Sequence, residues 1–154
     1  MANTQAAFGF KHIGYLSGGA PDFQQSPYTI QKTNATAIGF GDPVVVAATT
    51  GSPYILQGTP SLATASPILG IFVGCTFINA GGQQQWSPFW PGVTSGADAT
   101  AYVIDAPNAK FLVAATLTAI ASTSIGQVAN FTNGVVTTTG QGFSIATLDQ
   151  ATVT

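Results

Sequence analysis

Arginine and glutamate are both absent from this 154-residue chain, so its formal charge rests on Lys11, Lys32 and Lys110 and on Asp22, Asp42, Asp98, Asp105 and Asp149. A charged fraction of 5% compares with roughly a quarter in ordinary soluble domains. Three scattered lysines and a net charge of −2 cannot neutralise a run of phosphates, which excludes nucleic acid as an expected partner. Without glutamate, glycosidase chemistry would have to draw together two of five well-separated aspartates. The single histidine, His12, sits beside Lys11 in an irregular N-terminal stretch, a poor place for a catalytic base, and there is no G-x-S-x-G elbow. An exposed, structurally neutral imidazole is the expectation, and the chain is not read as an enzyme.

Cysteine is nearly absent too. Cys75 alone excludes an internal disulfide framework and any multi-cysteine zinc site. No H-E-x-x-H, EF-hand or phosphate-cradling motif occurs, so no metal and no cofactor is expected. The longest apolar runs, Ile68 to Cys75 and Phe111 to Ala121, fall short of the ~20 residues that span a bilayer. No membrane partner is expected. Met1 to Phe10 shows no basic segment followed by an apolar one, and cytoplasmic synthesis is therefore the expectation.

What is present is apolar and hydroxyl-rich: 45% hydrophobic residues, ten phenylalanines, 21 Thr and 10 Ser. This content argues for a folded chain with a substantial core and against disorder. Its surface gains polarity from groups that meet water or a partner without the cost of desolvating an ion. Such a surface suits permanent contact.

Residues 1–36 mix Gly, Pro, Gln and Asn with isolated aromatics and show no sustained period. They read as an extended N-terminal arm whose Phe8, Phe10, Tyr15, Phe23 and Tyr28 anchor it on a neighbouring subunit, the other reading being a tail folded back over its own domain. Residues 37–154 read as a single β domain. Gly41-Asp42-Pro43 is a turn leading into the strand Val44-Val45-Val46. Gly51-Ser52-Pro53 precedes Tyr54-Ile55-Leu56, and Pro60 and Pro67 bracket a small-residue loop. In Ile68 to Ile78 the odd positions Leu69, Ile71, Val73, Cys75 and Phe77 are apolar, predicting a strand with Cys75 inward as an inert buried thiol.

Gly81 to Gly92 holds both tryptophans between prolines and glycines and reads as a loop. Trp86, Phe89 and Trp90 are either a contact or sugar-stacking surface or a plug closing a barrel. Thr100 to Asp105 and Phe111 to Thr116 read as an antiparallel pair joined by a turn. Leu117 to Asn133 stays open between a short helix and an irregular crossing. Val135 to Thr139 and Gly142 to Leu148 alternate again, Phe143 and Ile145 lying opposite Ser144 and Ala146. Short strands, Gly/Pro turns and no amphipathic helix predict an all-β fold, a jelly-roll or Greek-key barrel or sandwich.

Several segments, in their order, resemble the cement or decoration proteins of tailed-bacteriophage capsids: Met1-Ala2-Asn3-Thr4, Ala7-Phe8-Gly9-Phe10, Tyr28-Thr29-Ile30, Ala37 to Val44, Gly70 to Gly74, the Trp-Pro loop, Tyr102 to Pro107, Gly126 to Ala129 and Gly142-Phe143-Ser144. The likeness spans nearly the whole chain and rests on order and spacing of short, turn-like motifs. It implies a jelly-roll-like, homo-oligomeric virion protein on the capsid outer surface that bridges neighbouring major capsid protein subunits and stabilises the shell. The chain departs from that pattern in lacking arginine, and the pattern would place a further strand after Leu148-Asp149. A carbohydrate- or receptor-binding lectin-like module using the Trp86 to Trp90 loop is the alternative from a different class.

Overall fold

The computed structural model describes residues 7–48, 51–59, 67–92, 96–115, 122–133 and 142–149. Ten strands follow in chain order: β1 (Lys11–Tyr15), β2 (Ser26–Ile30), β3 (Pro43–Val46), β4 (Ile55–Gln57), β5 (Ile68–Ile78), β6 (Gln84–Ser87), β7 (Ala99–Ile104), β8 (Ala109–Leu112), β9 (Asn130–Thr132) and β10 (Thr147–Asp149). Among the described residues, one 3-10 turn, Ser122–Ser124, stands between β8 and β9. The fold is all-β, as expected, and every strand pair is antiparallel.

The main sheet has six strands, ordered β2-β7-β5-β3-β4 with β6 added to β5. β5 is long enough to serve two neighbours on one side. Its first residues pair with β3, and Cys75 to Ile78 pair with β6. The sheet curls until Thr29 of β2 bridges Tyr54, just ahead of β4, in a parallel sense. Alternating antiparallel neighbours from β2 through β4 leave these two strands running the same way, so the parallel sense follows from the topology. Ile30, Val44, Ile55, Phe72, Cys75 and Val103 fill the enclosed space with no exposed surface. Burying each large apolar side chain contributes roughly 1.5–3 kcal/mol.

The inward face of β5 is not the simple odd set. Pairing with β7 slips between Phe72 and Gly74, so Val73 is the extra residue of a bulge and the alternation changes phase there. Phe72 and Cys75 then face the core together, opposite Val103 and Ala101. Gly70 is required by packing: a Cβ there would run into the Ile104 carbonyl and the Val103 side chain. Cys75 is inward as expected. Burial pushes its thiol up to about 12, and Sγ meets the Phe89 carbonyl oxygen at 3.5 Å.

Three expectations are corrected. The stretch 7–36 is not a free arm: β1 pairs with β8, β2 pairs with β7, and Ile30 is in the core, so the chain folds back over its own domain. β7 and β8 do not pair with each other, because β7 is already flanked by β2 and β5. The turn between them delivers β8 to β1 instead. Gln84–Ser87, read as loop, is β6. In the stretch from Gly142 the alternation is as expected, and the structure supplies its sense. Ser144 and Ala146 are buried, while Phe143 and Ile145 are exposed. The Ser144 hydroxyl accepts the Ala146 N–H at 3.0 Å, which satisfies a polar group small enough to fit inside. Of Leu117 to Asn133, the described part from Ser122 onward is a 3-10 turn followed by β9; the rest of it, with the small-residue loop after Pro60 and Val135 to Thr139, lies outside the described residues.

Candidate functional site

A groove of about 440 Å³ opens between the β1–β8 pair and the main sheet. Phe8 and Phe10 reach it from the segment ahead of β1, Lys11 and His12 from β1 itself, and Phe23 from the connection to β2. Phe40 enters ahead of β3, Ile71, Phe72 and Val73 from the bulged part of β5, Ile104 from β7, Leu112 from β8, and Phe143 from the segment before β10. Both kinks that build the floor have local causes. Gly9 has φ of +71°, and a Cβ on it would press on Ser144. That close approach lets the Phe10 N–H donate to the Gly41 carbonyl at 2.9 Å, seating the two phenylalanines on either side of the chain crossing. The Phe40 N–H donates to Gly142 at 2.8 Å, and Ser144 N–H returns a bond to Phe40 at 2.9 Å. Phe143 is thereby placed edge-on to Phe40, with centroids 5.9 Å apart.

Phe23 is the sole non-glycine residue with positive φ among the described residues, at 54°. An aromatic residue in that region is held there by its surroundings. Here it stands its ring edge-on to His12 at 5.5 Å. His12 is 5% exposed, which overturns the expectation of an exposed imidazole. Tyr15 and Phe111 complete its cage at 5.1 and 5.5 Å. Its Nε2 lies 3.0 Å from the Gly14 carbonyl oxygen and bears the proton of that bond. Nδ1 is buried without a partner.

The mouth of the groove is apolar and open: Phe8, Phe23, Leu112 and Phe143 are all exposed, Phe143 by 52%. Three of the aspartates each accept a tyrosine hydroxyl. Tyr15 donates to Asp22, Tyr28 to Asp105 at 2.8 Å, and Tyr54 to Asp98 at 3.1 Å. Each of these bonds draws the tyrosine upward from its ordinary value, because the carboxylate holds the proton in place. Asp22 is correspondingly lowered, first by the Tyr15 hydroxyl. No group of three or more His, Cys, Asp or Glu able to hold a metal is found among the described residues, and no helix there is long and apolar enough to cross a membrane.

No family model, curated protein or solved structure matches the chain. Of the candidate interface residues, Phe8, Phe10 and Phe23 meet in the groove, and Tyr15 backs it through His12. Tyr28 belongs to the main sheet instead, paired with Asp105. The three aromatics of the Trp-Pro stretch are split. Trp90 has no exposed surface; its indole N–H donates to the Asn34 carbonyl at 3.1 Å and its ring meets Phe77. It is a core plug. Phe89 is half-buried against Gly142, and Trp86 is 60% exposed on β6. Sequence reasoning missed Leu112 and Phe143 as groove residues. The signal for Phe143 was its alternation with the small residues Ser144 and Ala146, which leaves the ring facing outward once those are inside.

Proposed function

We propose that this protein is a structural virion subunit, a cement protein that binds the outer surface of an icosahedral phage capsid and bridges neighbouring major capsid protein subunits. The observation that carries the reading is the groove whose mouth is formed by the exposed Phe8, Phe23, Leu112 and Phe143. Contiguous exposed apolar surface marks a contact site, and aromatic anchors set in a pocket supply most of the energy of such contacts. The choice of a capsid as partner rests on the resemblance of the ordered sequence segments to cement proteins. Many copies on one shell act together, so each contact needs only modest strength.

Co-sedimentation of the purified protein with capsids tests this. Phe143→Ser and Leu112→Ser are expected to cost about 2 kcal/mol of attachment each, roughly thirtyfold in affinity, with only a small drop in melting temperature because each side chain is already about half exposed. A reconstruction of decorated particles is expected to show the groove facing a capsid subunit. Failure to sediment with any shell, or attachment indifferent to both variants, would overturn the proposal.

A further inference from the structure

A second, chemically different surface lies on the outside of the main sheet. The strand register sets Trp86 of β6 opposite Thr76 of β5, Thr76 opposite Thr100 of β7, and Thr100 opposite Thr29 of β2. Residues directly opposite one another share a face. The adjacent Cys75, Phe77, Ala99 and Ala101 are in the core, so this rank points outward. The Trp86 indole lies across Gly74. A Cβ on Gly74 would stand 3.1 Å from Cζ2 and 3.4 Å from Cε2, and the bare backbone is what lets the ring settle on the sheet while remaining 60% exposed.

Beside this platform is a cleft of about 310 Å³, lined on the outer face by Thr76, Ile78, Gly82, Gln84, Asp98 and Thr100. Its walls are fixed before any ligand arrives. The Asn79 side-chain oxygen accepts the N–H groups of Gly81 and Gln83 at 2.9 and 3.0 Å, holding the turn that leads into Gln84. Asp98 is pinned at one oxygen by the Lys32 backbone N–H, 2.9 Å, and at the other by the Tyr54 hydroxyl, 3.1 Å. Each carboxylate oxygen keeps a lone pair for a further donor. No cationic side chain lines the cleft, which disfavours an anionic ligand. Hydroxyls, an amide and a carboxylate beside Ile78 and an open indole match a molecule with one C–H face and many hydroxyl donors. The volume is at the small end of ligand pockets, about 300–1,000 Å³.

We propose that this face is a carbohydrate-binding site that takes one or two neutral pyranose units of a glycan. The sugar's C–H face stacks on Trp86, its hydroxyls donate to Asp98, and Gln84 and the two threonines bond the rest. The site shares no residue with the groove and does not depend on capsid attachment.

The test is a glycan array carrying neutral and sialylated structures, probed with the intact protein. It is followed by titration of the intrinsic tryptophan fluorescence with glucose, galactose, mannose and N-acetylglucosamine, and with the strongest array hit. Saturable binding of neutral glycans is expected, reduced at least tenfold by Trp86→Ala and by Gln84→Ala at unchanged melting temperature, and unaffected by Phe143→Ser. Absence of saturable binding in both formats would overturn the proposal, as would binding that survives Trp86→Ala and Gln84→Ala, or binding confined to sialylated glycans. The Phe143→Ser arm keeps the outcome separate from the capsid reading.

Discussion

The Gln57 side-chain amide donates to Asp42 Oδ2 at 2.8 Å, inside a domain where Asp42 has no exposed surface. The same oxygen accepts the Gly39 N–H at 2.7 Å, whereas Oδ1 is buried without a partner. Burial raises the Asp42 carboxyl above its ordinary value, and that outweighs the opposing help of the Ser144 hydroxyl, the Gly39 N–H and the Gln57 amide.

The sign of the resulting pH dependence is set by that rise. From the ordinary value near 3.8 up to the folded-state value, the native protein keeps a proton that the unfolded chain has released. The contribution of Asp42 to stability is therefore full below the unfolded value and is lost as pH rises through the folded one. Denaturant unfolding of wild type and Asp42→Asn from acid to neutral pH should show the variant gaining relative to wild type as pH rises. Asp42→Ala, which strands the Gly39 and Gln57 donors, should cost about 1–3 kcal/mol. A constant difference between wild type and Asp42→Asn across the range would refute the assignment.

Phe89 lies so close to Gly142 that a Cβ there would clash with its Cδ1, Cγ and Cβ, and Gly142 also has φ of +62°. Gly142→Ala should destabilise by about 2–4 kcal/mol, combining overpacking with the left-handed backbone. Gly126 has φ of +83° with nothing near it, so Gly126→Ala should cost only about 1 kcal/mol. Paired melting curves of the two variants check the difference, and equal shifts would remove the packing contribution.

The two tryptophans should report separately. Trp90→Ala is expected to cost about 3–5 kcal/mol, and Trp86→Ala to stay within about 0.5 kcal/mol of wild type. In fluorescence, a soluble quencher should reach Trp86 and spare Trp90. Uniform quenching of both would contradict the buried placement.

Attachment through uncharged surface should be indifferent to salt. Exposed ion pairs are screened within about 8–10 Å at 0.1–0.15 M salt, whereas apolar anchors in the groove are not. Capsid co-sedimentation should be unchanged up to molar NaCl. Release at that concentration would show that the lysines and aspartates hold the contact.

Where local chemistry decides, the sequence was readable. Gly41-Asp42-Pro43 turns into β3 because its side chains act on their own backbone, and β5 has the limits its apolar run predicts. Cys75 is inward because its neighbours permit nothing else. The strand partners were not readable, since β8 choosing β1 over β7 depends on which edges distant strands already occupy. The bulge at Val73 was hidden for the same reason. A change of phase within one strand shows only against its neighbour. The groove was half legible. Phe8, Phe10 and Phe23 stand out in the sequence as contact residues and share the groove, but that β1 and β8 form one of its walls depends on a pairing the local sequence does not show.

The Thr29–Tyr54 bridge turns β2 and β4, the strands that would otherwise end the main sheet, toward each other. A sheet that closes on itself offers little unpaired backbone for another chain to copy. For a protein with so little charge to keep its molecules apart, this closure occupies two edges that could otherwise pair with another chain, and leaves the apolar groove as the surface offered to a partner.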